Sequence, residues 1–169
     1  MAPVTRHAEG CHCYGGAMAA PILLCTDGSD QAMDALQAGL DLLGRASAYV
    51  LVTVADAPDP DVLTGTAHPG SDLSAREFDL AVGKAHESAR NVLTAAEERL
   101  GLVEVEVRVI TGEPASAICQ LAHELQAQAI VIGTHGRGGL TRSLIGSVSD
   151  YVVRHAPCSV VVTRSGAAT

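Results

Sequence analysis

Five short runs rich in Val, Ile and Leu alternate along the chain with stretches whose apolar residues recur every three or four positions. That alternation limits the possible folds more than any other feature of the sequence. "PILLCT" (21–26) is a short apolar run closed by "DGSD", which holds a turn and a helix N-cap candidate. From Asp30 to about Arg45, Met33, Leu36, Leu40 and Leu43 keep helical spacing. "AYVLVTVAD" (48–56) is a second strand, and residues 75–100 form a long amphipathic helix with Phe78, Val82, Ala85, Ala89, Leu93, Ala96 and Leu100 on one face. "VEVEVRV" (103–109) alternates apolar and charged residues, as a strand with one exposed face or an edge strand does. A helix over 112–128 opens with Glu113-Pro114 in its first turn, followed by the strand "AIVIG" (129–133), a helix from about Ser147 to His155, and the strand "CSVVVTR" (158–164).

Single-helix crossovers make consecutive strands parallel and their connections right-handed, so the expected fold is α/β: a three-layer α/β/α sandwich with helices on both faces of a parallel sheet. The 169 residues suit one domain, here residues 21–169 behind a flexible arm (1–20) without hydrophobic period. Trp is absent and Phe and Tyr total four, so Ala, Val, Leu and Ile must build the core. Residues 57–74, with three prolines and two glycines, form a long loop.

Eleven Lys and Arg against 19 Asp and Glu give a formal net charge of −8. That balance disfavours broad contact with a nucleic-acid backbone or an anionic membrane, so neither is an expected partner, though one local pocket can still be positive. No apolar run reaches the ~18 residues of a transmembrane helix. The N-terminus lacks the apolar segment of a secretory signal, so a cytoplasmic location is expected. Five unevenly spaced cysteines do not make a disulfide framework. Cys25, Cys119 and Cys158 read as small buried apolar residues, and His86, His123 and His155 as structural or solvated.

The stretch "GTHGRGGLTRSLIGSVS" (133–149) follows the fourth strand directly, with five glycines, two arginines, several hydroxyls and no carboxylate. Glycine admits positive φ and close approach of a ligand to the backbone. Gly146-Ser147 at a helix start presents N–H groups and the positive end of the helix dipole, which suits a phosphate. Arg137 and Arg142 add charge. A glycine-rich surface loop with an ordinary cap fits the glycine content equally well. A P-loop and a G-x-G-x-x-G turn are both absent, against a P-loop NTPase or an NAD-dependent dehydrogenase.

Spacing separates the alternatives. Gly133-x2-Gly136-x9-Gly146-Ser147 resembles the G-x2-G-x9-G-[ST] pattern of the ATP-binding subclass of the universal stress protein family. "ILLCTDGSDQAMDAL", "VTVAD" and "SVSDYVVRHAPCSVVVTR" are similar to that family's first strand and turn, second-strand end, and C-terminal helix and strand, so the resemblance spans about residues 21–165. It implies a five-stranded parallel sheet in the order 3-2-1-4-5 and ATP or AMP as ligand, with or without Mg. It also implies that Asp27, with Cys25 and Thr26, borders the adenosine and that Val54 meets adenine through its backbone. Gly133, Thr134, His135, Gly136, Arg137, Gly138 and Gly139 would wrap ribose and phosphates, and Gly146, Ser147, Val148 and Ser149 would hold the phosphates. A homodimer through the last strand, around Val160 to Thr163, is implied too, together with an unknown protein partner and a role as a stress-response regulator. Cys25 departs from the Pro, Ala or other small residue common there, Ser159 replaces a second proline, and the arm has no counterpart.

Efficient phosphoryl transfer needs metal, a positioned water and charge stabilisation. With Asp27 as the one carboxylate expected near the site, a fast ATPase is not expected, and slow hydrolysis stays open. The alternative function is a redox- or metal-responsive interaction protein acting through His7, Cys11, His12 and Cys13 in the arm.

Overall fold

The computed structural model of the protein describes residues 20–44, 48–56, 58, 74–103, 105–134 and 146–164. The arm up to residue 19 with its Cys and His residues, most of the 57–74 loop, and His135, Gly136, Arg137, Gly138, Gly139 and Arg142 lie outside the described residues.

Nine elements alternate in chain order: β1 (Ile22–Cys25), α1 (Asp30–Leu43), β2 (Tyr49–Val54), α2 (Ala75–Leu100), β3 (Glu106–Ile110), α3 (Pro114–Glu124), β4 (Ala129–Gly133), α4 (Ser147–His155) and β5 (Ser159–Thr163). The five strands form one sheet in the order β3-β2-β1-β4-β5. Every pairing is parallel, with Cys25 opposite both Val52 of β2 and Ile132 of β4. The expected strand order and α/β class are therefore observed.

Alternation along each strand divides the core in two. Leu23, Cys25, Val50, Val52, Ile130 and Ile132 pack with Ile118, Leu121 and Ala122 of α3 and Val152 of α4. Ile22, Leu24, Leu51, Ala129 and Val131 pack on the opposite face with Met33 and Leu36 of α1 and Leu93 and Ala96 of α2. Leu23, Leu24, Leu36, Leu51 and Ile130 are fully buried, and each such side chain contributes about 1.5–3 kcal/mol of transfer free energy.

Local chemistry sets the helix starts. Ser29 caps α1 by accepting the Ala32 N–H at 3.2 Å. Ser74 and Glu77 form a reciprocal capping box at α2, with the Ser74 N–H donating to Glu77 Oε2 at 2.9 Å and the Glu77 N–H to Ser74 Oγ at 3.3 Å.

Several boundaries differ from the sequence expectations, and those of α3 and β3 have clear physical reasons. Glu113 stands outside α3 as its N-cap, with its carboxylate accepting the Ala115 and Ser116 N–H groups at 3.2 and 2.8 Å. The same helix stops at Glu124, short of residue 128. Gln126 adopts φ 49°, its N–H bonds to the His123 carbonyl and the Ala127 N–H bonds to the Ala122 carbonyl, a Schellman ending made without glycine. β3 begins at Glu106, not residue 103, because pairing with β2 starts there. It occupies an edge of the sheet, and Val107 is left exposed.

No helix among the described residues is long and apolar enough to cross a membrane.

Candidate ligand-binding rim

The chain runs outward from β1 to β2 and β3, then returns to the other side of β1 to add β4 and β5. The topological switch point thus lies between β1 and β4, where open α/β sheets leave a crevice at the strand C-termini. The register Cys25 to Ile132 brings the "TDGS" turn beside Gly133.

The turn after β1 is built by its own side chains. Thr26, itself buried, accepts the Gly28 N–H on Oγ1 at 3.0 Å. Asp27 Oδ1 accepts the Ser29 N–H at 3.0 Å and the Ser29 hydroxyl at 2.7 Å. Gly28 has φ +83°, and a Cβ there would lie 2.9 Å from both methyls of Val92 on α2. The turn therefore needs glycine for conformation and for space, and α2 braces it from behind.

Cys25 sits just below this turn, within the core. Burial pushes its thiol up to about 12, with smaller contributions from Cys119 and Cys158. It behaves as a small apolar residue, as expected. Cys119 and Cys158 are half-buried against the same core, and Cys158 precedes β5 by one residue. Burial raises both of their thiols as well.

At the end of β4, Thr134 meets Gly146, the residue that precedes α4. The Thr134 N–H donates to the Thr163 carbonyl at 2.9 Å, and the Gly146 N–H donates to the Thr134 carbonyl at 2.7 Å. Gly146 is the N-cap of α4 in an extended conformation, and among the described residues no side chain caps the helix. The first-turn N–H groups of α4 thus start at the rim with no side-chain cap among the described residues. A Cβ on Gly146 would fall 2.9 Å from the Thr134 carbonyl oxygen, so glycine is required here by close approach rather than by positive φ.

The structure brings together Cys25, Thr26, Asp27, Gly133, Thr134, Gly146, Ser147, Val148 and Ser149 at the ends of β1 and β4. Val54 ends β2 on the same rim, on the far side of β1. Ser149 is buried and donates its hydroxyl to the Gly146 carbonyl at 3.0 Å, which stiffens the first turn. Asp150, not among the expected site residues, is a second carboxylate near the rim. It lies in the first turn of α4 and pairs with Arg154 at 3.0 Å. Among the described residues no group of three His, Cys, Asp or Glu side chains is placed to hold a metal ion.

Fold and rim define an open, doubly wound α/β protein in which the β1–α1 turn and the Thr134–Gly146 contact flank the switch point of the sheet. The Universal stress protein family model matches residues 18–164. A Staphylococcus aureus protein assigned to the universal stress proteins is 31% identical over 148 residues, covering 85% of this chain and 83% of its own. The chain belongs to the universal stress protein family. A family structure from Burkholderia pseudomallei is 31% identical with a TM-score of 0.59, covering 87% of this chain and 97% of that one. Two more distant structures share the fold. One is a universal stress protein in complex with cAMP, 22% identical, TM-score 0.57, covering 87% of this chain and 98% of that one. The other is an Arabidopsis thaliana family protein with AMP bound, 18% identical, TM-score 0.54, covering 88% and 93%.

Proposed function

We propose that this protein binds ATP or another adenine nucleotide at the rim between β1 and β4 and acts as a stress-response regulator whose nucleotide occupancy is read by a partner. The observation that carries the proposal is the uncapped N-terminus of α4, closed onto Thr134 by Gly146 beside the Asp27 turn. N–H groups and the helix dipole at such an end favour an anion. Asp27 and Val54 sit on the side of the rim suited to the nucleoside, with Cys25 and Thr26 beneath Asp27. His135, Gly136, Arg137, Gly138 and Gly139 belong to the same motif and would complete the phosphate wrapping begun by Gly133 and Thr134 and ended by Ser147, Val148 and Ser149. The cAMP and AMP found on two proteins of this fold agree with an adenine ligand.

Magnesium, where it accompanies the nucleotide, would take its ligands largely from phosphate and water, the common mode for this ion. The role is one of binding rather than rapid hydrolysis, in a cytoplasmic setting. We also propose a homodimer through β5. Among the described residues its outer edge has no strand partner, and Val160, Val161 and Val162 are only partly buried.

Calorimetric titration with ATP, AMP and cAMP tests the proposal. Wild-type protein should bind at least one of them at one site per chain, and the double variant Gly136→Ala/Gly146→Val should lose that binding while staying folded. Equal affinity in wild type and variant would refute it.

A further inference from the structure

A hydrogen-bond relay runs behind the rim from α1 to α4. The Thr163 hydroxyl donates to the Ala35 carbonyl of α1 at 2.6 Å. The Thr163 carbonyl accepts the Thr134 N–H at 2.9 Å, and the Thr134 carbonyl accepts the Gly146 N–H at 2.7 Å. The Gly146 carbonyl then accepts the Asp150 N–H at 2.9 Å. Between Ala35 and Gly146 every link is main chain except one, the Thr163 side chain.

That link exists because small residues line the face of α1 that packs on the sheet. Ala32, Ala35 and Gly39 fall on one face at helical spacing, and Ala32, Ala35 and Gly39 are all buried. A Cβ on Gly39 would lie 2.4 Å from Val131 Cγ1 of β4, so the helix backbone packs directly on the Val131 side chain. This approach brings a carbonyl from inside α1 within reach of the last residue of β5. At its own N-terminus α1 carries the Ser29 cap and the Asp27 turn.

We propose that Thr163 is a positioning residue for the nucleotide site, fixing α1, and with it the Asp27 turn that precedes it, relative to the Thr134–Gly146 stem. The inference rests on the adenine-nucleotide reading of the rim. The two halves of that site are carried by helices on opposite faces of the sheet, α1 on one and α4 on the other, and the β1–β4 pairing that sets their strands side by side acts below the rim rather than between the helices. Thr163 joins them through one hydroxyl and one carbonyl. A nucleotide spanning both halves then binds a rim whose separation is already set, without ordering it on binding.

The test is Thr163→Val, which keeps the branched shape and removes only the hydroxyl, with Thr163→Ser restoring it. Adenine-nucleotide affinity is measured with amide exchange, and Leu93→Ala serves as a destabilised control in the core. Thr163→Val should weaken binding by about threefold to tenfold, the worth of one net hydrogen bond. It should also speed exchange of the Gly146 amide relative to core amides, and Thr163→Ser should recover both. Leu93→Ala should leave affinity unchanged under folded conditions. Wild-type affinity and Gly146 protection in Thr163→Val would overturn the inference while leaving the nucleotide reading intact. A loss of affinity matched by Leu93→Ala would overturn it too, since general destabilisation would then suffice. Wild-type protein that binds no adenine nucleotide would overturn both.

Discussion

The Gly146 N–H donates to the Thr134 carbonyl at 2.7 Å, and a Cβ on Gly146 would meet that same oxygen at 2.9 Å. One contact thus closes the base of the glycine-rich stretch and makes its last glycine irreplaceable on steric grounds. It accounts for one of the five glycines at the end of β4 by packing rather than by flexibility.

Gly146→Ala should therefore open the Thr134–Gly146 contact, because a backbone oxygen cannot give way as a side-chain tip can. We expect adenine-nucleotide affinity to fall by about tenfold or more, since a misplaced helix N-terminus loses several charge-assisted hydrogen bonds together. Titration of the folded variant measures it.

Gly39→Ala tests a different close approach. Its new methyl would lie 2.4 Å from Val131 Cγ1 inside the α1–β4 interface. Overpacking of this kind costs about 1–3 kcal/mol. Denaturant unfolding should show that loss, and adding Val131→Ala should make the Gly39→Ala substitution less costly than it is alone.

How much of this was legible beforehand depended on the range of the contact. Helix and strand periods placed all nine elements, and α2 and β4 matched their expected limits, since long amphipathic runs and β-branched runs are local signals. The end of α3 was not legible: Gln126 takes the positive φ usually given to glycine, so no stop residue marks it. The Ser74-x-x-Glu77 box is a local helix-start signal that the sequence does carry. For the rim, spacing and family resemblance pointed to Asp27, Gly133 and Gly146. Thr163 was assigned only to the dimer edge, because its bond to Ala35 joins residues 128 positions apart and leaves no trace in local pattern. Val92 behind Gly28 escaped for the same reason.

Acid should weaken the fold partly through two helix starts. The Glu77 carboxyl is held below its ordinary 4.5 by hydrogen bonds from the Ser74 side chain and then its backbone. Glu113 is held below 4.5 chiefly by the Ser116 N–H, and by the Ala115 N–H and Ser116 hydroxyl. In both, the folded value is lower than the unfolded one. Their stabilisation is therefore fully present above the unfolded value and is lost as pH falls through the folded value. Glu77→Gln and Glu113→Gln together should give a smaller decline in unfolding free energy between neutral pH and the acid range than wild type shows. An unchanged acid slope would contradict this.

Thiol labelling should separate Cys25 from accessible cysteines. With its thiol pushed up to about 12 and its side chain buried, Cys25 has almost no thiolate at mildly alkaline pH. Mass mapping after brief native alkylation should find Cys25 unmodified and fully reactive once the protein is denatured. Rapid native labelling would mean that the turn above it opens readily.

The most direct measurement for the central claim is a nucleotide inventory: protein purified without added ligand is denatured, and the released material is chromatographed. Near-stoichiometric ATP or another adenine nucleotide is the predicted result. Protein that releases none, and then also fails to bind added ATP, AMP or cAMP, would contradict the account.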